Sequence, residues 1–204
     1  MESSELALRM TGSAPEVEGS DSAEESAQLL KRVIAGDSVA FEQIILRYER
    51  RVLMTAWRLL GHREDAQDAA QEVFLRLYKY RHHFDQKRAL LPWLYRMTVN
   101  VCHDVYRKRR QEDALAAGEM DRASLAYDPG GEITRSEQRR IIEAALEALT
   151  EKERAAVVLR DIEGLTTKDV AGILGSSETT VRSQISTARV KIRKFVDKLE
   201  KKRS

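Results

Sequence analysis

Apolar positions recur at three- and four-residue steps along most of this chain, and no segment alternates in the two-residue rhythm of a strand. Leu29, Leu30, Val33 and Ile34 form a first short stripe from Ala27 onward. Gly36 and Asp37 break it, and Asp37 or Ser38 is placed to cap a longer helix carrying Phe41, Ile44, Ile45, Tyr48, Val52, Leu53, Ala56, Trp57 and Leu60, with Gly61 as its stop. A third helix opens at Glu64 or Asp65, where acids suit the positive end of the dipole. Its inward face is expected to hold Ala66, Ala69, Ala70, Val73, Leu77 and Tyr80. Its outward face holds Asp65, Asp68, Glu72, Arg76 and Lys79, with Gln71 and Leu75 beside them. Residues 81–91 read as a loop, and Pro92 sits where a first helical residue belongs. The helix that follows buries Leu94, Met97, Val101 and Val105, and presents Arg96, Asn100, His103 and Arg107 on its other side.

The pattern then lapses and returns. Residues 111–131 lack a sustained stripe and contain Asp128-Pro129-Gly130-Gly131, so they read as a linker with at most a helical turn. From Glu132 a second set begins: Ile141, Ile142, Ala145, Leu146 and Leu149, then Ala155, Val158, Leu159 and Ile162 after the capping-box sequence Thr150-Glu151-Lys152-Glu153. Gly164 leads into Leu165–Lys194, the stretch around which the chain is organised. Thr166 with Asp169 reads as a helix start, Val170, Ile173 and Leu174 as a short apolar stripe, Gly175 as a stop needing positive φ, and Ser176 and Ser177 as a new cap. A second stripe of Val181, Ile185, Ala188 and Ile192 follows, with Leu199 in phase. The expected fold is therefore all-α: two small helical domains, residues 27–110 and 132–204, joined by a flexible linker, the second a helix-turn-helix domain.

Composition sharpens this picture in a few places. Residues 1–26 are acidic and rich in Ser and Gly, and read as a disordered tail. The far end is basic, which points to a polyanionic partner there although the net charge of the 204 residues is only +2. One cysteine, Cys102, excludes an internal disulfide framework and a cysteine-rich zinc site. No apolar run approaches the roughly 20 residues of a membrane span, and the start of the sequence does not read as a secretory signal. The four histidines, His62, His82, His83 and His103, lack the spacing of a helical metal pair. With no Gly-rich phosphate loop either, an enzyme is the least favoured class, and no cofactor or metal is expected.

The chemistry lies in binding faces. In the last helix the face opposite the apolar stripe carries Thr179, Arg182, Ser183 and Ser186. Short hydroxyl side chains let a helix backbone approach base edges, and Arg can fork onto guanine or a phosphate. Arg189, Lys191, Arg193, Lys194 and Lys198 beyond it suit phosphates. In the first domain, a basic loop with rings beside a helix bearing Asn and Arg suits a single strand, bases stacking while cations track the backbone. Leu75 among acids and amides suits a protein-docking face. A conventional helix-turn-helix regulator, which would bind duplex DNA tightly on its own, is the competing reading.

Two blocks decide between these: EDAQDAAQEVFLRLYKYRHHF with LLPWLYRMTVNVCHDVYRKRR, then ALEALTEKERAAVVLRDIEGLTTKDVAGILGSSETTVRSQISTARVKIRK. In this order and separation they resemble the extracytoplasmic-function (ECF) group of bacterial RNA polymerase sigma factors over about residues 27–198. The resemblance implies a cytoplasmic, non-catalytic initiation factor. Its partners would be core RNA polymerase, through the β′ coiled coil and β flap, promoter DNA, and an anti-sigma factor. It implies that Asp68, Gln71, Glu72 and Leu75 contact polymerase. The −10 strand falls to His83, Phe84, Lys87, Arg88, Arg96, Asn100 and Arg107, and −35 DNA to Thr179, Arg182, Ser183, Ser186, Thr187 and Arg189. The chain departs from the common pattern at Ser176, where many members have an apolar residue, and at Thr179, where Gly is usual. Gln184, Ser186 and Thr187 also stand where Arg or an aromatic is frequent. These changes leave the preferred −35 sequence unspecified and shift affinity toward the distal basic run.

Overall fold

The computed structural model describes residues 23–84, 89–116 and 135–203. Among them are eight α-helices and no strand, as the periodicity requires: α1 (Ala23–Ile34), α2 (Ser38–Leu60), α3 (Arg63–Tyr80), α4 (Leu90–Ala116), α5 (Arg135–Glu147), α6 (Glu151–Val157), α7 (Thr167–Leu174) and α8 (Glu178–Arg203). A 3₁₀ turn, Arg81–His83, follows α3, and a π-helical turn, Val158–Ile162, follows α6. The chain divides after Arg110 into two compact units. The expected 1–26 tail, apart from residues 23–26, and the expected linker beyond Ala116 lie outside the described residues.

In the first unit α1 packs on α2 and α2 on α3. Asp37 caps α2, its side chain accepting from the Ala40 N–H at 3.0 Å, and Gly61 ends it at φ 75°. The inner faces bury Leu30, Val33, Ile44, Tyr48, Val52 and Val73 essentially completely. Each is worth about 1.5–3 kcal/mol relative to exposure. Two helices extend past their expected limits. α1 begins at Ala23, not Ala27, because Ser26 is a buried position: its hydroxyl meets that of Tyr48 at 2.6 Å, and Glu25 pairs with Arg47 at 2.8 Å. α4 begins at Leu90, so Pro92 is its third residue, still within the first turn whose N–H groups lack helical partners. It also runs on through residues 111–116, which the sequence pattern assigned to the linker. Tyr80 is a correction: its ring is 43% exposed, not inward. Val105 is only half-buried, whereas Tyr95, Thr98, Val99 and Cys102 join Leu94, Met97 and Val101 in the core.

In the second unit α6, α7 and α5 all pack against α8. The capping box at Thr150 is complete, the Thr150 N–H donating to Glu153 at 2.9 Å and the Glu153 N–H to the Thr150 hydroxyl at 3.4 Å. Arg154 lies buried beneath it and donates to the Glu147 and Leu149 carbonyls, closing the end of α5. The expected α6 stripe through Ile162 is not one α-helix. It loosens at Val158 into the π turn, with Glu163 N–H reaching back to the Val158 carbonyl at 2.9 Å before Gly164 (φ 75°) turns the chain.

Candidate polymerase and nucleic-acid interfaces

The helix-turn-helix is assembled by local chemistry. The Thr166 hydroxyl accepts from the Asp169 N–H at 3.1 Å and donates to the Asp169 carboxylate at 2.6 Å, so Asp169 answers the hydroxyl rather than the cap N–H. Val170 and Ile173 are buried, and Gly175 at φ 59° ends α7. Of the two candidate serines, Ser177 is the cap of α8, accepting from the Thr180 N–H at 3.1 Å. Val181, Ile185, Ala188, Ile192 and Val196 then bury one side of α8. This leaves Thr179, Arg182, Ser183, Ser186 and Thr187 all exposed.

Arg182 reaches back to Glu178 at 2.9 Å along the same helix. Arg189 is held more firmly: its fork donates to both carboxylate oxygens of Asp161, at 2.9 and 2.6 Å, and this pairing raises its pKa above the usual arginine value. Lys191, expected among the phosphate-facing cations, instead donates to both oxygens of Glu153 at 2.8 and 2.9 Å. Beside the outer face of α8 lies a cleft of about 430 Å³ whose walls include Arg160, Arg182, Arg189 and Arg193. Arg160 was missed from sequence because it reads as one more polar position on α6; the π turn brings it to this cleft.

On α3, Asp68 and Gln71 are exposed and Leu75 is 66% exposed, with Tyr78 three residues on 44% exposed. Glu72 belongs to the same face, but it also accepts from the Arg76 Nε at 2.7 Å. Arg76 bridges on to Asp104 of α4 at 3.1 Å, and Asp104 accepts from Arg107 at 3.1 Å. The Glu72 hydrogen bond, followed by that to Asp104, raises the Arg76 pKa despite partial burial.

The remaining first-unit residues do not all share one environment. Arg96, Asn100 and Arg107 are exposed at four- and seven-residue spacing along one face of α4. His83 is exposed at the 3₁₀ turn, its ring edge-on to Tyr80 with centroids 6.1 Å apart. Phe84 is a correction to the picture of a loop of open rings: it is 7% exposed and packs on Trp93 with centroids 4.9 Å apart. An apolar ring two residues from the exposed His82 found the core because the 3₁₀ turn reverses its direction. Lys87 and Arg88 lie outside the described residues. Among the described residues no cluster of three His, Cys, Asp or Glu is arranged to hold a metal ion, and no helix is long and apolar enough to cross a membrane.

These features define a class: an all-α protein pairing a helical unit that bears an exposed docking face with a helix-turn-helix unit. The family model for Sigma-70 region 2 matches residues 44–112, and that for Sigma-70, region 4 matches residues 139–192. The chain is 33% identical over 185 residues to the RNA polymerase sigma-H factor of Pseudomonas aeruginosa, covering 86% of this chain and 96% of that protein. It is 33% identical over 180 residues to the ECF RNA polymerase sigma-E factor of Haemophilus influenzae, covering 84% and 95%. Its fold is similar to that of the sigma factor RpoE of Bartonella quintana, solved with the anti-sigma factor NepR (TM-score 0.66, 23% identity, 77% of this chain and 96% of that one). It is also similar to CnrH, solved with the cytosolic domain of CnrY (TM-score 0.64, 24% identity, 84% and 97%). The chain belongs to the ECF group of RNA polymerase sigma factors, which are transcription initiation factors.

Proposed function

We propose that this chain binds core RNA polymerase through the outer face of α3, with the β′ coiled coil against Asp68, Gln71, Glu72 and Leu75, and that its second unit sits by the β flap. The polymerase then sets the separation between two DNA-reading surfaces. The outer face of α8 enters the −35 major groove, where Arg182 and the hydroxyls of Thr179, Ser183, Ser186 and Thr187 meet base edges and phosphates. Arg96, Asn100, Arg107 and His83, with Lys87 and Arg88, grip the −10 strand once it has separated. Phe84 supports that site from beneath through Trp93 rather than stacking on a base. Unstacking costs a few kcal/mol, offset by the contacts made only to the opened strand, so binding shifts the closed-to-open equilibrium.

The observation that carries this reading is Leu75. Exposed to 66%, it lies on one face of α3 with the exposed Asp68 and Gln71 and the half-buried Glu72, and that combination, rather than the leucine's exposure by itself, suits a protein contact. The solved relative RpoE is in complex with the anti-sigma factor NepR, and a regulator of that kind covering one or both units fits this chain as well. Co-purification with core polymerase tests the docking face. Leu75→Asp, or Asp68→Lys with Glu72→Lys, should lower recovery with core at least tenfold while leaving helix content intact; recovery equal to that of the unaltered chain would reject α3 as the docking surface.

A further inference from the structure

The recognition helix is held from both flanks by carboxylates that themselves have little access to water. Taking about 100° per residue, the buried stripe of α8 (Val181, Ile185, Ala188, Ile192) defines an inward axis. Arg189 projects about 70° to one side of it and Lys191 about 90° to the other. Arg189 forks onto Asp161 of the π turn, whose side chain is 9% exposed. Lys191 straddles both oxygens of Glu153, 12% exposed, which also completes the Thr150 cap of α6. The buried stripe sets the seat of α8; ion pairs on opposite flanks oppose the residual roll in either sense.

We propose that Asp161 and Glu153 are positioning residues for −35 recognition: through Arg189 and Lys191 they set the rotation of α8, and Arg189 serves that purpose rather than contacting DNA. The scale of the effect follows from helix geometry. At a side-chain radius of about 5–6 Å, a roll of about 20° moves a tip by about 2 Å. Hydrogen bonds to base edges fail over that distance. Phosphate contacts, made by long side chains to a diffuse line of charge, tolerate it better. Loosening either tether therefore lowers discrimination between sequences more than it lowers affinity. The Asp161 hydrogen bond raises the Arg189 pKa, in keeping with a guanidinium paired within the unit, although the arginine side chain itself is 55% exposed. The two carboxylates lie 28 and 38 residues from their cations in sequence, so no local pattern announces them.

This inference rests on the proposed reading of α8 as the −35 helix. The test measures how holoenzyme assembled from core polymerase and the full chain binds two labelled duplexes. One carries a −35 sequence selected from a random library by the unaltered holoenzyme, the other the same bases scrambled. Each is titrated across a range of salt. Asp161→Asn, Arg189→Lys and Lys191→Gln should each lower the selected-to-scrambled ratio by about tenfold, the scale of one lost base contact. The double variant Asp161→Asn with Arg189→Lys should do no worse than either alone, and salt slopes should stay unchanged. Arg189→Lys keeps the charge and breaks only the fork, so loss of discrimination in that variant separates positioning from phosphate binding; circular dichroism of each variant confirms that the unit is folded. Tighter binding by Asp161→Asn, or an Arg189→Gln salt slope shallower by about 0.9, would make Arg189 a phosphate contact and overturn the inference. Ratios unchanged in all variants would overturn it too, with the −35 reading left standing. If the unaltered holoenzyme itself prefers no −35 sequence, the reading of α8 falls, and this inference with it.

Discussion

Single side chains in this protein carry distinct tasks that burial alone separates. Arg182 is exposed on the outer face of α8 and the side chain of its Glu178 partner is 44% exposed, so exchanging that pair for the proposed DNA contact costs little. Arg182→Ala should lower transcription from −35-dependent promoters about tenfold or more, and leave initiation on templates that rely on the −10 element nearly unchanged; an equal loss on both would mean a structural defect. Cys102 is the opposite case. Burial pushes its thiol from 9.0 to about 12, so the thiolate is scarce near neutral pH. Native protein should resist alkylation that the unfolded chain accepts readily. A thiol whose folded value lies above its unfolded one stabilises the fold fully below pH 9.0, and that contribution is lost as the pH rises toward about 12. Cys102→Ala should therefore flatten the alkaline fall in stability, as followed by urea denaturation; an unchanged fall would show that the thiol is not shielded.

Helix ends were the most legible elements, and helix partners the least. Asp37, Gly61, Thr150, Thr166, Gly175 and Ser177 act within one turn of themselves, so a short window of sequence contains everything needed to place them. Thr150→Ala removes the box that starts α6 and should cost about 1 kcal/mol in thermal denaturation. Gly175→Ala, at φ 59° with open space around a new Cβ, should cost a similar 1 kcal/mol or so from backbone strain alone. Losses well under half of that would show these ends to be set by packing instead. The first turn of α1 was illegible because Ser26 counts as polar until its hydroxyl partner, 22 residues away, is known. Tyr80 was assigned inward by period, but α3 ends there and the ring swings out beside His83. The outward faces of α3, α4 and α8 followed from the pattern, whereas the commitment of Arg189 and Lys191 to carboxylates did not. Charge in a sequence says that a side chain wants a partner, and only the fold says which one.

Across the whole chain, the family assignment unites these faces into one task. The first unit supplies the proposed docking surface on α3 and, on α4, cations and an amide suited to a separated strand. The second supplies a helix whose outer face is narrow, hydroxyl-rich and flanked by an arginine-lined cleft. Within the first unit, the chain Glu72–Arg76–Asp104–Arg107 alternates in charge and runs from the docking face toward the strand-binding face. On the proposed reading, each unit lowers the free energy of one state of promoter DNA, and the polymerase turns that preference into a start site. The most direct measurement is run-off transcription by purified core polymerase on a library of random promoters, with and without this chain. The expected result is initiation at defined positions only when the chain is present, with enriched −35 and −10 elements at one spacing. Transcripts no more selective with the chain than without it would contradict the account.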